Sequence, residues 1–255
     1  MKTLPRHDII EASKEQFREI IRKNNLQNKP VAITAKTLTP EQAIGNPGRR
    51  DYPIIEGKER MIEAEFFDAC GHAFTDSPIN FVGYLEDVLQ LQTDSNQYRA
   101  IYLATLNAVL RYLGLIQGTV HCKNDEPEHC AWRIAGHIRE NWGRVRIGLI
   151  GLNPAVAEQL VKTFGSENVL IIDLDRKNIG IEKYSVEIWD GRSRTEELIR
   201  LSDVVLATGT TLGNGSFDLI WELIQEHEKP YLFYGVTVAG ISGIMGINRI
   251  CPYGH

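Results

Sequence analysis

No apolar run in this 255-residue chain approaches the ~20 residues of a membrane-spanning helix. The opening MKTLPRHDII lacks the apolar stretch of an export signal, so no targeting segment is expected. A broad basic surface is missing as well. Twenty-eight Lys and Arg stand against 33 Asp and Glu, which argues against a general nucleic-acid footprint. Cysteine is sparse, four in all, at spacings that do not suggest pairs. Without an export signal these read as free thiols in a reducing compartment, so a cytoplasmic location is expected. Internal repeats and low-complexity segments are absent. So are a Ser-His-Asp set, paired catalytic carboxylates and an H-E-x-x-H motif. No reaction is predicted, and enzymatic status stays open.

What is present fits a globular protein: 43% hydrophobic and 24% charged residues. The length suits one large domain or two small ones. The chain reads differently in its two parts. In the first, residues 6–26 carry apolar positions on one helical face, and VAITA (31–35) reads as a strand. Thr39-Pro40-Glu41-Gln42 looks like a capping box with proline at the first helical position. GNPGRRDYP (45–53) must be a loop, Glu56-Gly57-Lys58 a turn and RMIEAEFF (60–67) a strand. GHAFTDSPINFVG (71–83) reads as another loop. Asp94 is expected to cap a long helix, YRAIYLATLNAVLRYLGL (98–115), apolar nearly all round and therefore buried on most sides. These elements predict a small α+β domain over 1–120.

In the second part, a helix near 126–142 precedes regular alternation. Strands are predicted at 144–151, 168–175, 185–189, 203–209 and 231–236. Helices are predicted at 154–164, 195–201 and near 215–228. This is the pattern of a Rossmann-like, doubly wound parallel sheet over 121–255, in an α/β protein. Its ligand crevice is expected at the carboxyl ends of the strands, where strand order reverses.

Several residue groups could meet a ligand there. The turn Gly148-Leu-Ile-Gly151-Leu-Asn153-Pro154 opens a helix whose free N–H groups favour anions. The dinucleotide fingerprint G-x-G-x-x-G is not met, although Asp173 stands about where a ribose acid would. The alternative is a tight turn with a capped helix. ATGTTLGNGSFD (207–218) offers Thr208, Thr210, Thr211, Asn214 and Ser216 among glycines; it reads as a polar-ligand loop or as a solvated loop that caps the next helix. Arg49, Arg50 and Lys58 could hold an anion if their loop folds over the crevice, or could simply be solvated. Asn107 is an amide in an apolar helix and must find partners.

TVHCKNDEPEHCAW (119–132) concentrates thiols and imidazoles. Its acids are explained by a helix start: Asp125 and Glu128 resemble a capping box, and Pro127 suits the first turn. His121, Cys122 and Cys130 remain as candidate metal ligands. The Cys122–Cys130 spacing is not the short C-x₂₋₄-C of structural zinc sites, and a helical cysteine is most often a small buried hydrophobe. Cys70 with His72, and Cys251 with His255, are further candidates. Nothing in the sequence requires the CPYGH tail to fold back.

Taken in order, ATLNAVL (104–110), the GLIGLNP turn, ATGTTLGNGSFD and GHAFTDSPINFVG resemble the segments of the heavy-metal chelation family. The resemblance runs over roughly residues 30 to 245. It implies an N-terminal domain similar to that of enolases, a Rossmann-like domain after it, and a site in the cleft between them for a metal ion or metal chelate. Carried over residue by residue, it nominates Asn107, Gly151, Thr210, Thr211 and Asn214. Three departures stand out. Ser216 replaces a threonine, GVTVAGISG (235–243) lacks the expected prolines, and the stretch from Gly45 to Met61 is longer than expected.

Two readings follow. In the first, the chain binds a metal or a related small anionic ligand between its domains, a transition metal being the cofactor class implied. In the second, an enzyme uses NAD or S-adenosylmethionine in its Rossmann-like domain. In either case the partner is a small molecule or metal rather than nucleic acid or membrane, and self-assembly into a homo-oligomer stays open.

Overall fold

The computed structural model describes residues 8–26 and 32–255. The beginning of the helix expected from residue 6, and Val31 of the first expected strand, lie outside the described residues. Among those residues no helix is long and apolar enough to cross a membrane.

Helix α1 (Ile9–Lys23) starts at Asp8, whose carboxylate accepts the Glu11 N–H at 3.0 Å. It buries Ile9, Ile10, Phe17 and Ile21 along one stripe, as the spacing predicts. Strand β1 (Ala32–Leu38) leads to α2 (Pro40–Ile44), where the expected Thr39–Gln42 capping box forms. Helix α3 (Pro53–Glu56) is one turn that runs from the end of the expected loop 45–53 to the expected turn at Glu56-Gly57-Lys58. Strands β2 (Arg60–Phe66) and β3 (Ala69–Thr75) form a hairpin, and β4 (Phe81–Tyr84) pairs on the other side of β1. The sheet order is β3-β2-β1-β4, antiparallel throughout. The predicted loop 71–83 is thus largely strand. Gly71 and the polar His72 and Thr75 disguise the strand pattern, yet Ala69, Gly71, His72, Ala73 and Thr75 are all buried.

Helix α4 (Leu85–Gln90) is followed by α5 (Asn96–Tyr112). Ser95, not Asp94, is the residue before its first turn, and no side chain caps it. Every residue from Ala100 to Leu110 is buried, so the expectation of a helix enclosed on most sides holds. One face of α5 lies on β2 and β3, and other faces meet later helices.

Helix α6 (Glu126–Trp142), strand β5 (Ile147–Ile150), α7 (Pro154–Phe164) and β6 (Val169–Asp173) follow. Asn153 caps α7, accepting the Val156 N–H at 3.2 Å, and Gly165 closes it at φ 87°. Then come β7 (Glu182–Lys183), β8 (Val186–Asp190), α8 (Gly191–Leu201), β9 (Val204–Thr208), α9 (Thr210–Asn214), α10 (Phe217–Glu226), β10 (Tyr231–Tyr234), α11 (Ala239–Met245) and β11 (Arg249–Ile250). The second sheet runs β11-β10-β9-β5-β6-β8-β7, parallel except for β7. The chain starts at β5 in the middle, builds outward through β6 and β8, then returns to β9 on the other side.

Strand residues alternate between two cores. Ile147, Leu149, Ile171, Leu206 and Leu232 pack with Ile134 and Ile138 of α6 and Ala157 and Leu160 of α7. Ile150, Ile172, Val205, Ala207 and Phe233 pack with Leu198 of α8 and Ile220 and Ile224 of α10. This second core continues through α5 to Phe17 of α1 and to Ile62 and Phe66 of the first sheet. The protein is therefore a mixed α/β chain with two sheets, joined by apolar contact around α5. Burying each leucine or isoleucine there contributes ~1.5–3 kcal/mol.

Candidate functional site

Strand order reverses between β5 and β9, so the turns after these two strands lie side by side. Gly151 ends β5 at φ 85°, a left-handed conformation, and a Cβ there would meet Thr208 Cγ2 at 2.5 Å. Glycine is required on both counts. Asp173, at the tip of β6, accepts Leu152 N–H at 2.8 Å through one oxygen and Asp175 N–H at 2.6 Å through the other. Its carboxylate therefore fastens the turn that follows β5.

The 207–218 segment is not an open loop. It contains α9 (Thr210–Asn214), in whose first turn the Thr211 hydroxyl donates to the Thr208 carbonyl at 2.8 Å, and which is ended by Gly215 at φ 79°. Thr208 Oγ1 receives Thr210 N–H at 3.3 Å and lies 3.1 Å from Thr210 Oγ1. Asn214 Oδ1 accepts the Ser216 N–H and hydroxyl at 3.0 and 2.7 Å. These side chains serve their own turns.

Other groups around the crevice were not legible in the sequence. Tyr234, at the end of β10, has its hydroxyl 3.5 Å from the Gly151 carbonyl. Glu59, beside the Glu56–Lys58 turn, shares this space. Burial, and then the charges of Asp173, Asp76 and Asp175, push its carboxyl up to about 7. Burial likewise raises Asp173.

The 119–132 stretch is built onto the first sheet and α6. His72 N–H donates to the Thr119 carbonyl at 2.9 Å, and the Thr119 hydroxyl donates to the Cys70 carbonyl at 2.7 Å. His121 N–H donates to His72 Nδ1 at 3.1 Å, so the hydrogen of His72 sits on Nε2 and points to Glu63 Oε2 at 2.8 Å. His121 Nδ1 lies 2.6 Å from the Cys122 carbonyl, which can only accept. Its hydrogen is therefore on Nδ1, and Nε2 keeps its lone pair. Burial holds His121 below the ordinary imidazole range, which favours this neutral form.

Cys130 has the thiols of Cys122 and Cys251 as neighbours, and Cys122 Sγ lies 3.9 Å from His121 Nδ1. Contact with Cys122 is the main cause that pushes Cys130 up to about 12. The CPYGH tail does fold back: Val120 and His255 exchange backbone hydrogen bonds at 2.9 Å each way, and His255 Nε2 lies 2.9 Å from Glu126 Oε2. As the side chains stand, no three His, Cys, Asp or Glu groups among the described residues are arranged to hold a metal ion.

The expected Asp125–Glu128 capping box does not form, because Asp125 makes no side-chain cap. Glu126 instead accepts the Lys123 N–H at 2.7 Å. Glu128 accepts from Arg49 Nε at 2.8 Å and from the Tyr52 hydroxyl at 3.0 Å. Arg49 also pairs with Glu158 and with Asp51 at 3.3 Å, and donates to the Tyr184 hydroxyl at 2.7 Å. Its guanidinium is engaged by acids of its own chain. Arg50 donates to Asn46 Oδ1 at 3.0 Å at the surface. Asn107 is wholly buried: its amide donates to the carbonyls of His72 (2.9 Å) and Val236 (3.0 Å) and accepts the Gly240 N–H at 2.6 Å. It ties β3 to the segment after β10.

This two-sheet α/β architecture, with strand order reversing between β5 and β9, finds counterparts among known proteins. Residues 137–243 match the model of the DUF364 family, described as "Putative heavy-metal chelation". The resemblance seen in the sequence is met over that span. A crystal structure of a protein with unknown function from the DUF364 family of Pyrococcus horikoshii is similar at TM-score 0.51 and 13% identity. The match covers 90% of this chain and 80% of that one. A DUF364 protein of unknown function from Desulfitobacterium hafniense is similar at TM-score 0.49 and 12% identity, over 73% of this chain and 72% of that one. At such identity the likeness concerns the fold alone. No curated protein matches the chain.

Proposed function

We propose that the protein binds a metal ion or metal chelate beside the crevice at the strand ends. An N-terminal α+β unit (1–120) and a Rossmann-like unit (121–255) form its two walls. The description of the matching family supports this reading over residues 137–243. The observation that carries it is the placement of the Cys122 thiol 3.9 Å from the His121 ring, which donates through Nδ1 to the Cys122 carbonyl and so leaves the Nε2 lone pair for a ligand. A histidine that donates its other ring N–H to a carbonyl is the usual form of a metal-ligating imidazole. Glu59 and Asp173 add negative charge nearby, which favours a cation.

The test is elemental analysis after anaerobic purification. A bound transition metal is expected, lost in the Cys122→Ala/Cys130→Ala double variant. A metal-free protein whose melting temperature rises with NAD or S-adenosylmethionine would replace this reading with the nucleotide one.

A further inference from the structure

The segment that follows β11 returns to the first sheet, and backbone bonds hold it there. Strand β3 lies at one edge of that sheet, and residues 119–121 run along it. The Thr119 carbonyl accepts the His72 N–H at 2.9 Å, and the His121 N–H donates to His72 Nδ1 at 3.1 Å. Val120, between them, turns the other way: its N–H and carbonyl exchange bonds with His255 at 2.9 Å each. Alternate residues thus bond to opposite sides, as in a strand, and residue 255 forms one more rung outside β3. Two glycines allow this approach. A Cβ on Gly254 would lie 3.0 Å from the Gly118 carbonyl oxygen and 3.1 Å from its Cα, and Gly118 itself stands at φ 67°. Arg249, in β11, ties the start of the segment by donating to the carbonyls of Gly235 (2.8 Å), Gln117 (3.3 Å) and Gly118. The rest of the attachment is slight. None of residues 251–255 is buried. His255 Nε2 meets Glu126 at 2.9 Å at the surface, and the Tyr253 and His129 rings lie 5.9 Å apart.

We infer that residues 251–255 are a strap that holds the turn at His121 and Cys122 closed, and that its release opens this turn without unfolding either core. Cys122 is 5% exposed and follows directly on the strapped residues. Neither apolar core includes a residue of 251–255, whereas α5 is enclosed by one of them. A segment held by a few exposed backbone bonds opens at far lower free energy than a buried helix. Asn107 ties β3 to the segment after β10 from the core side, so the two sheets stay joined when the strap leaves. The inference rests on the site proposed above for its purpose, control of a ligand's access; the closure itself needs no metal.

The experiment compares the full-length wild type with Gly254→Val and with Gly254→Val/Arg249→Ala, all reduced. Hydrogen exchange is read at single amides by NMR, and alkylation of Cys122 by N-ethylmaleimide is read by peptide mass spectrometry. In the wild type the Val120 and His255 amides should share one protection factor, because one opening breaks both bonds. In Gly254→Val both factors should fall at least roughly tenfold, with Cys122 alkylated faster in proportion, and the double variant should go further. Amides of α5 and β5 should keep their protection, which separates release of the strap from loss of folding. If His255 loses protection while Cys122 reacts at the wild-type rate, the strap is wrong. Unchanged protection of His255 in both variants would show that the glycine contact and Arg249 do not hold it, and would overturn the inference as well. So would an equal loss in α5, which would make the segment part of the global core. Elemental analysis of the same samples judges the metal reading separately: a metal-free protein whose turn opens in this way keeps the strap and loses the metal site.

Discussion

The carboxyl of Glu59 is withdrawn from water and stands among negative charges, with Asp173, Asp76 and Asp175 around it. Its proton is held up to about 7 against an ordinary 4.5. The folded state therefore binds that proton more tightly than the unfolded chain does. The stability this gives is full below about 4.5 and is lost as pH rises through about 7. Glu59→Gln should thus be more stable than the wild type near pH 8 and no better near pH 4. The gain at high pH should be on the order of 1 kcal/mol, below the full linkage value because the residue keeps part of its surface in water. Thermal melts of both proteins across that range check it, and parallel curves would refute it. No local pattern in the sequence marks Glu59, because its chemistry comes from residues far away in the chain. Asn107 was legible for the opposite reason. An amide inside an apolar helix must be satisfied wherever the helix packs, so only the identity of its partners had to come from the structure.

At the scale of elements, the α/β alternation from β5 onward was legible because buried parallel strands are short apolar runs between capped helices. Asn153 and Gly165 mark the ends of α7 in the sequence and in the structure alike. Strand β3 was missed because its pairing is settled by α5. Gly71 faces that helix: a Cβ there would collide with the Ala104 carbonyl and the Ala108 N–H, and would lie 2.7 Å from Asn107 Cβ. The glycine that looks like a loop signal is a close contact between strand and helix. Helix α9 was missed for a similar reason, since Gly213 lies under the Phe74 carbonyl of β3, 2.7 Å from where a Cβ would be. Gly71→Ala should push α5 off β3 and strain the Asn107 bonds. Its cost should be about 2–3 kcal/mol, as for overpacked core sites. Chemical denaturation of that variant beside Gly48→Ala, where nothing lies within 4 Å of the added methyl, measures it. Equal stability of the two would show that the helix yields freely.

Across the whole molecule, the two sheets are joined by more than the apolar core around α5. Ile9 N–H donates to Asp218 at 3.0 Å, Phe74 N–H to the Thr237 hydroxyl at 3.1 Å, and Arg99 Nε to the Gly213 carbonyl at 3.1 Å. On the opposite side, the long stretch after α2 is fastened by Arg49. That arginine was read in the sequence as a candidate for an external anion. The loop does fold inward, but Glu128 of α6, Glu158 of α7 and its own neighbour Asp51 supply the anions. The Arg49 side chain is 18% exposed, so its ion pairs are shielded from salt more than surface pairs are. Arg49→Ala would leave three carboxylates and the Tyr184 hydroxyl without their shared donor. We expect a loss of about 2 kcal/mol, since removing one partner strands the charges of the others. Hydrogen exchange of residues 45–53 should rise strongly, and that of α5 should not. Arg49→Lys should recover only part of the protection, because an ammonium cannot span three acceptors and a phenol in one plane. Unchanged exchange in the loop would mean that Tyr52 and the buried Ile54 hold it alone, and that Arg49 is free to meet a ligand after all.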